Sequence, residues 1–494
     1  MTSKNFQEKD IRVLSIRALS VRALRGTVAM FALTIFFMIV FVAAPAEGQK
    51  VIATVPVGEI PQSIAVNPVT DMIYVSNLGS GDVTVINGVT NSTTTVTDPN
   101  AQFLQSIAVN SSTNMIYVAN FNSNNVTVIN GADNSVTTVT DPTAMGPNDL
   151  AVNPVTNKIY VANWNSDTIT VIDGATNSTT SVPTGKNPHF VAVNTATNMI
   201  YVPNWGSGDV TVIDGATNAT TTVKDPNASV GNIAAVNQLT DQIYVSNYGS
   251  NNITVIDGAT NSTTTITDPN AMHPAEIAVN PQTDLIYVIN GGTGPYAGSN
   301  NVTVIDGDNN SFTTVTPHAA GLNAVDLDLA TNQIFVANWH SNNVTVIDGA
   351  TNRTSNLRDY NAKHPSQLVV NQETGRVYVN NGGGYPYGGS NNVTVIGIPS
   401  TTSTSLTSSP NPSSSGQAVT FTATVTSSGG SIPDGEAVTF RDKGQVIGYG
   451  YTSGGVATFT TSTLAVGKQT VKASYSGDEA FGKSSATIKQ TVEN

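Results

Sequence analysis

The chain has 494 residues, of which only 11% are charged, and its 33 acidic and 20 basic side chains leave a formal charge of −13. It contains no cysteine, which excludes thiol catalysis, Cys-ligated zinc and disulfide bonds together. An acidic field of this size is a poor match for nucleic acid or an anionic membrane surface, so neither is expected as a partner.

Residues 1–26 carry Lys4, Lys9, Arg12, Arg17, Arg22 and Arg25, and the uncharged apolar run 27–44 leads into Ala44-Pro45-Ala46. Basic start, apolar centre and small-residue site in that order predict a secretory signal, residues 1–46, cleaved after Ala46. The alternative is an uncleaved anchor, since 18 apolar residues approach the ~20 that span a bilayer. With the signal removed, no membrane insertion is expected and the mature chain stands at −17.

From residue 51 the sequence repeats. VTVI or a close variant recurs eight times between Val83 and Ile396. An IYV-like run precedes each copy, its aromatic falling at Tyr74, Tyr117, Tyr160, Tyr201, Tyr244, Tyr287, Phe335 and Tyr378. Those aromatics are spaced by 43, 43, 41, 43, 43, 48 and 43 residues, the signature of an array of like supersecondary units. Each unit holds four short runs rich in Val, Ile, Thr and Tyr between Pro, Asn, Asp and Gly, and none shows a 3.6-residue apolar period. Four antiparallel strands per unit, here called A (AVN), B (IYV), C (VTVI) and D (TTTV) from the centre outward, make a β-propeller blade. The expected fold is all-β, an eight-bladed propeller over residues 47–397. The final VTVI (393–396) lacks the usual Asp-Gly turn, whereas VIATVPV (51–57) is a D-type run with no A, B or C before it. Strand 51–57 is therefore expected to complete the last blade and close the ring, because an open ring exposes strand edges.

IYVSN (73–77, 243–247), IYVAN (116–120, 159–163) and the following VTVID resemble the YVTN-repeat β-propellers of surface-layer and related secreted proteins. The resemblance covers about residues 51–397 and implies export. It is specific for fold and weak for function, since relatives include binding proteins and lactone-hydrolysing enzymes. The common family ring has seven blades, and the count of eight here departs from it.

A Ser/Thr-rich linker, 398–407, is followed at 408–494 by seven alternating runs in under 100 residues, the pattern of an immunoglobulin-like sandwich. This segment resembles the bacterial Ig-like domains that serve as surface spacers, with YSGDEAF (475–481) carrying much of the likeness. From Ala418 onward basic and acidic residues number six each, so the whole −17 belongs to the propeller.

Strand direction alternates, so the D–A and B–C loops share one face and the A–B and C–D turns share the other. The turns are nearly invariant (DGATN at 173–177, 214–218, 257–261 and 348–352), and their Asp-Gly suits a tight hairpin. The Asn after each strand B, such as Asn163, is expected to bond its own loop backbone. Asn-x-Ser/Thr sequons, Asn125 and Asn252 among them, fall in repeat register, and duplication accounts for them.

The loop face varies. Its B–C loops hold Phe121, Trp164, Trp205, Tyr248 and Trp339, two of them are enlarged (291–299 and 382–390), and all five histidines lie on this side. Trp164, Trp205, Tyr248, Trp339, His340 and His189 are the candidate ligand-binding residues, since rings among short polar groups stack on sugars or peptide groups. Asp149 and Glu276 share a position just ahead of strand A, and Asp326 stands where other blades have Ala. With no cofactor otherwise expected, these three carboxylates are the candidate ligands for Ca²⁺ or another divalent ion. No fixed-spacing catalytic motif is present. The expectation is an exported cell-surface or extracellular module that binds a glycan, protein or peptide. The alternatives are a metal-dependent hydrolase or lyase such as a lactonase, and a structural surface-layer protein.

Overall fold

The computed structural model describes residues 48–291, 298–382, 388–427, 430–478 and 480–494. The expected signal, and the middle of both enlarged loops, lie outside them. Every regular element among the described residues is a strand, and eight four-stranded antiparallel sheets follow one another along the chain. Sheet 1 spans 61–96, sheet 2 104–139, sheet 3 147–183, sheet 4 192–223, sheet 5 231–266, sheet 6 274–315 and sheet 7 322–357. Sheet 8 takes strands A, B and C from 367–397 and its outer strand from Lys50–Pro56.

That outer strand is the D-type run at the start of the repeats. It lies antiparallel on Asn392–Gly397, with Val55 opposite Val393 and Thr54 opposite Thr394. The missing Asp-Gly turn after Ile396 is thus explained by pairing with a segment more than three hundred residues earlier in the chain.

Packing explains why strands B and C read as continuous apolar runs. Strand B of sheet 2, MIYVAN, is buried at five of its six positions, because a sheet covered on both faces has no solvent side to alternate with. Tyr117 is fully buried between sheets 2 and 3 beside Leu150 and Val161. The same arrangement recurs between successive sheets, and Val55, Tyr378, Val393 and Val395 of sheet 8 pack with Ile64, Ile73, Val75 and Ile86 of sheet 1. Strand D, as in TTTV of sheet 1, is exposed at all but its last residue.

A polar bond reinforces this packing. The Asn ending strand A donates from Nδ2 to an Asn or Asp in the A–B turn of the next sheet. The pairs are Asn67–Asn114, Asn110–Asn157, Asn153–Asn198, Asn194–Asp241, Asn237–Asp284, Asn280–Asn332 and, from sheet 8 to sheet 1, Asn371–Asp71, at 2.6–2.8 Å. The acceptors are left-handed, with φ of 52–57°, a backbone that Asn and Asp tolerate. Only between sheets 7 and 8 do Asp328 and Gly375 replace the pair. There Gln372 bridges instead, donating to the Leu327 carbonyl at 2.7 Å and accepting from the Leu329 N–H at 3.1 Å.

The C–D turn joins two antiparallel strands, and its left-handed residue in 173–177 is Asn177, with φ 58°. Gly174 is needed for close approach, since a Cβ there would collide with the Asn157 side chain. One local expectation is corrected: the side chain of the Asn after strand B bonds strand C, and its main-chain carbonyl serves the loop, as when Asn163 accepts from the Ser166 N–H at 3.3 Å. Asn163 Nδ2 donates to Thr168 and Thr170 of strand C at 3.2 and 2.9 Å, because Asn163 is buried and stands opposite Thr168 in the register.

Residues 402–494 form a three-stranded sheet (Thr402–Ser409, Val419–Ser427, Val456–Thr461) and a five-stranded sheet (Ser413–Ser414, Ser484–Glu493, Gly467–Tyr475, Ala437–Asp442, Gln445–Tyr451). Phe421, Phe440, Val471 and Tyr475 centre the core between them. The first strand begins at Thr402, within the stretch expected as a linker. Its Ser/Thr run alternates half-buried and exposed, and threonine suits such a half-buried pleat.

Candidate functional site

The loop face is set by backbone before any functional side chain is placed. Each sheet enters strand A through a left-handed residue: Ile60, Phe103, Gly146, Asn187, Val230, His273, Gly321 and His364, with φ between 51° and 70°. For the β-branched Ile60 and Val230 this conformation costs about 1–3 kcal/mol and persists only where the surroundings over-determine it. In sheets 1–5 and 7 the carbonyl at this position accepts the N–H of the first B–C loop residue. Gly146 thus holds Trp164 at 2.9 Å, Asn187 holds Trp205 at 2.9 Å, Val230 holds Tyr248 at 3.0 Å and Gly321 holds Trp339 at 2.7 Å. The preceding sheet adds a second tie, as when Asp167 Oδ1 accepts from the Asn187 N–H and Asn251 Oδ1 from the His273 N–H, both at 2.8 Å. The aromatic rings therefore ride on a fixed frame.

Four of the expected ligand-binding residues come together across sheets 3, 4 and 5. Trp164 and Trp205 lie 6.3 Å apart between ring centroids, and His189 sits 5.4 Å from each. Tyr248 continues the row 5.7 Å from Trp205, and His273 stacks on Tyr248 at 4.4 Å and 12°. All five rings are half-buried. Trp339 and His340 are elsewhere, on sheet 7. Trp339 is 7% exposed, stacked on His364 at 4.2 Å with His340 edge-on at 4.7 Å, so its indole is packed into the fold and not presented to a ligand. Large rings beside a close-packed inner strand bury area wherever a neighbour offers a flat partner.

Beside the aromatic row the A strands line an open polar cavity of about 510 Å³. Gln62, Gln105, Asn148, Asp149, His189 and Glu276 contribute to its wall. Side chains cross-link the unpaired inner edges of neighbouring strands A. Asn148 Nδ2 donates to the His189 carbonyl at 2.9 Å, and the His189 Nδ1–H donates to the Asn232 carbonyl at 3.2 Å. A carbonyl can only accept, which leaves Nε2 of His189 as the lone-pair nitrogen, and burial lowers its pKa and keeps the ring neutral.

The carboxylates serve the same edges. Asp149 accepts from the Ser106 hydroxyl at 2.8 Å and the Val191 N–H at 3.0 Å. Glu276 accepts from the Val325 N–H at 2.7 Å, and Asp326 from the Val370 N–H at 2.8 Å. Burial pushes Asp149 and Asp326 up to about 6, and burial with the charges of Asp326 and Asp149 pushes Glu276 up to about 8. At neutral pH Glu276 therefore carries a proton. The three stand on sheets 3, 6 and 7, and among the described residues no group of three or more His, Asp or Glu side chains is gathered to hold a metal ion.

The sequence reading did not select His273 as a site residue or the glutamines Gln62 and Gln105. Aligning the positions just ahead of strand A across the eight units would have shown His273 in the slot of Phe103 and Val230. The sequons at Asn125, Asn252, Asn301 and Asn392 are 5–9% exposed, and their Nδ2 groups donate to the carbonyls of Asn100, Asn227, Asn270 and Asn361. In the folded chain they cannot carry a glycan.

Fold and site together define a repeat-built, all-β protein with propeller-like blades and a polar cavity beside a row of rings. The family model of the bacterial Ig-like domain (group 3) matches residues 406–493. Among solved structures, the chain is similar to Kuenenia stuttgartiensis hydrazine synthase at 19% identity, over 58% of this chain and 95% of that one, with a TM-score of 0.48. No curated protein matches it.

Proposed function

We propose that the protein is an exported binding module of the cell surface or extracellular space. In this reading the eight blades form a closed ring of the YVTN-repeat type, and the Ig-like domain sets it at a distance from its attachment. The ligand, a glycan or peptide, lies on the loop face across Trp164, His189, Trp205 and Tyr248. One observation carries the reading: rings from three consecutive sheets form an unbroken, half-buried row on a rigid backbone frame. A solvated loop face has no physical need for such a row, whereas stacking a planar or pyranose ligand does.

The test is a glycan- and peptide-array screen of the full chain, followed by titration of each hit with tryptophan fluorescence. Trp164→Ala and Trp205→Ala should each weaken the hit at least tenfold with unchanged melting. Normal affinity in both variants, or the absence of any hit, rejects the reading. The hydrolase or lyase reading is favoured by Glu276, which holds a proton at neutral pH beside the same cavity as His189. Under that reading Glu276→Gln abolishes turnover of a lactone panel.

A further inference from the structure

The Ig-like domain holds equal numbers of basic and acidic residues, but its five-stranded sheet does not distribute them evenly. Val438, Phe440, Val471 and Ala473 turn inward to the core, so the alternate positions face out. Along Gly467–Tyr475 the outward residues are Lys468, Thr470, Lys472 and Ser474. The register places Arg441 opposite Lys472, Lys489 opposite Thr470 and Thr487 opposite Lys472 on the flanking strands. Four of the domain's six cations thus share one face, and all four side chains are exposed. Glu493 lies at its far end, and Asp442 is turned to accept the Thr470 N–H at 3.2 Å. Like charges directly opposite each other, as at Arg441 and Lys472, destabilise a sheet. Arg441 donates one bond within its hairpin, from Nη1 to the Gly444 carbonyl at 3.3 Å, and the fold gives no further reason to gather the four cations.

The edge strand Gln445–Tyr451 adds Tyr449 and Tyr451 to the same face, 58% and 66% exposed and opposite Thr439 and Ala437. Their alternation is enforced: the inward positions on either side of Tyr449 are Gly448 and Gly450, where a Cβ would collide with Phe459 and with the Thr458 backbone. The tyrosines can therefore only point outward. Two residues apart in a strand, they stand ~7 Å from each other. Lys468 and Lys472, four residues apart, stand ~13 Å from each other along the neighbouring run of the sheet.

We infer that this face of the Ig-like domain is a docking surface for an anionic polysaccharide, separate from the loop face of the blades. The cations meet the acidic groups, the tyrosines stack on sugar rings, and the intervening Thr and Ser hydroxyls bond the sugar hydroxyls. Charge complementarity decides the partner's sign, and the paired tyrosines favour a chain of rings over a polyanionic peptide. The domain would then anchor the protein to an acidic matrix as well as space it.

The experiment uses the full chain and polygalacturonate as probe, with neutral dextran and polyglutamate as controls, at low and at physiological salt. Polygalacturonate should bind, weaken with salt and outcompete both controls. Replacing Arg441, Lys468, Lys472 and Lys489 with Gln should cut its affinity at least a hundredfold, and Tyr449→Ala with Tyr451→Ala about tenfold. All six side chains are exposed, and melting curves matching the parent establish that the variants fold. Equal binding of polyglutamate and polygalacturonate overturns the inference, as does affinity unchanged in either variant set. So does binding of the probe that survives deletion of residues 402–494.

Discussion

Removing residues 47–57 tests the pairing of the first repeat strand with the last. Val55 is 3% exposed, and Val51, Ile52 and Ala53 are half-buried in the clusters that join sheet 8 to its two neighbours. Full burial of a Val or Ile contributes about 1.5–3 kcal/mol, so the strand's apolar side chains contribute about 3–5 kcal/mol. Asn392–Gly397, buried at all six positions, would also lose its outer partner and expose a row of unpaired N–H and C=O groups. The total, on the order of 5–8 kcal/mol, rivals the ~5–15 kcal/mol by which a domain is stable. Thermal and urea melts of the shortened protein should show a large loss of stability and aggregation, and a synthetic peptide of residues 48–57 added in trans should restore part of the loss. A shortened protein that melts like the intact one, with the peptide inert, would refute the reasoning.

Glu276 makes stability depend on pH. Its folded pKa of about 8 lies above the ordinary 4.5, so its favourable contribution is complete below 4.5 and is lost as pH rises toward 8. Such a shift is worth about 5 kcal/mol, which the half-buried position of Glu276 on the cavity wall reduces to about 1–3 kcal/mol. Urea melts at pH 5 and pH 8.5 should therefore show the parent losing that much more than Glu276→Gln, and parallel losses would contradict the assignment. Asn237→Ala leaves Asp284 without its 2.6 Å donor and should cost about 1–3 kcal/mol in the same melts, whereas an exposed control such as Thr222→Ala costs little. At the junction that lacks the bond, Asp328→Asn with Gly375→Asn should install it, because φ at 375 is already 65° and a Cβ there has ordinary contact distances. A gain of about 0.5–1.5 kcal/mol is expected from the pair together and none from either alone.

The strand count and the origin of the eighth sheet's outer strand were legible because the repeat states each strand eight times, and a departure from it shows which strand is missing. What holds adjacent sheets together was not legible. Asn153 and Asn198 look alike in sequence, yet one donates and the other must turn left-handed to accept, a relation across 45 residues that no local pattern carries. The glycine of DGATN has a role of the same kind: it admits the close approach of the Asn157 side chain, which propensity does not report. The site divided in the same way. Trp164 and Trp205 were found because consecutive units place their loops side by side, whereas Trp339 has the same sequence surroundings and is buried by His364, which arrives from the following sheet. In a repeat protein the conserved phrases are therefore about the frame, and chemistry has to be sought where one unit departs from the rest. Glu276 illustrates the point, since at its position sheets 1 and 2 carry Ser63 and Ser106, and only its neighbours' charges and its burial make it an acid that keeps its proton.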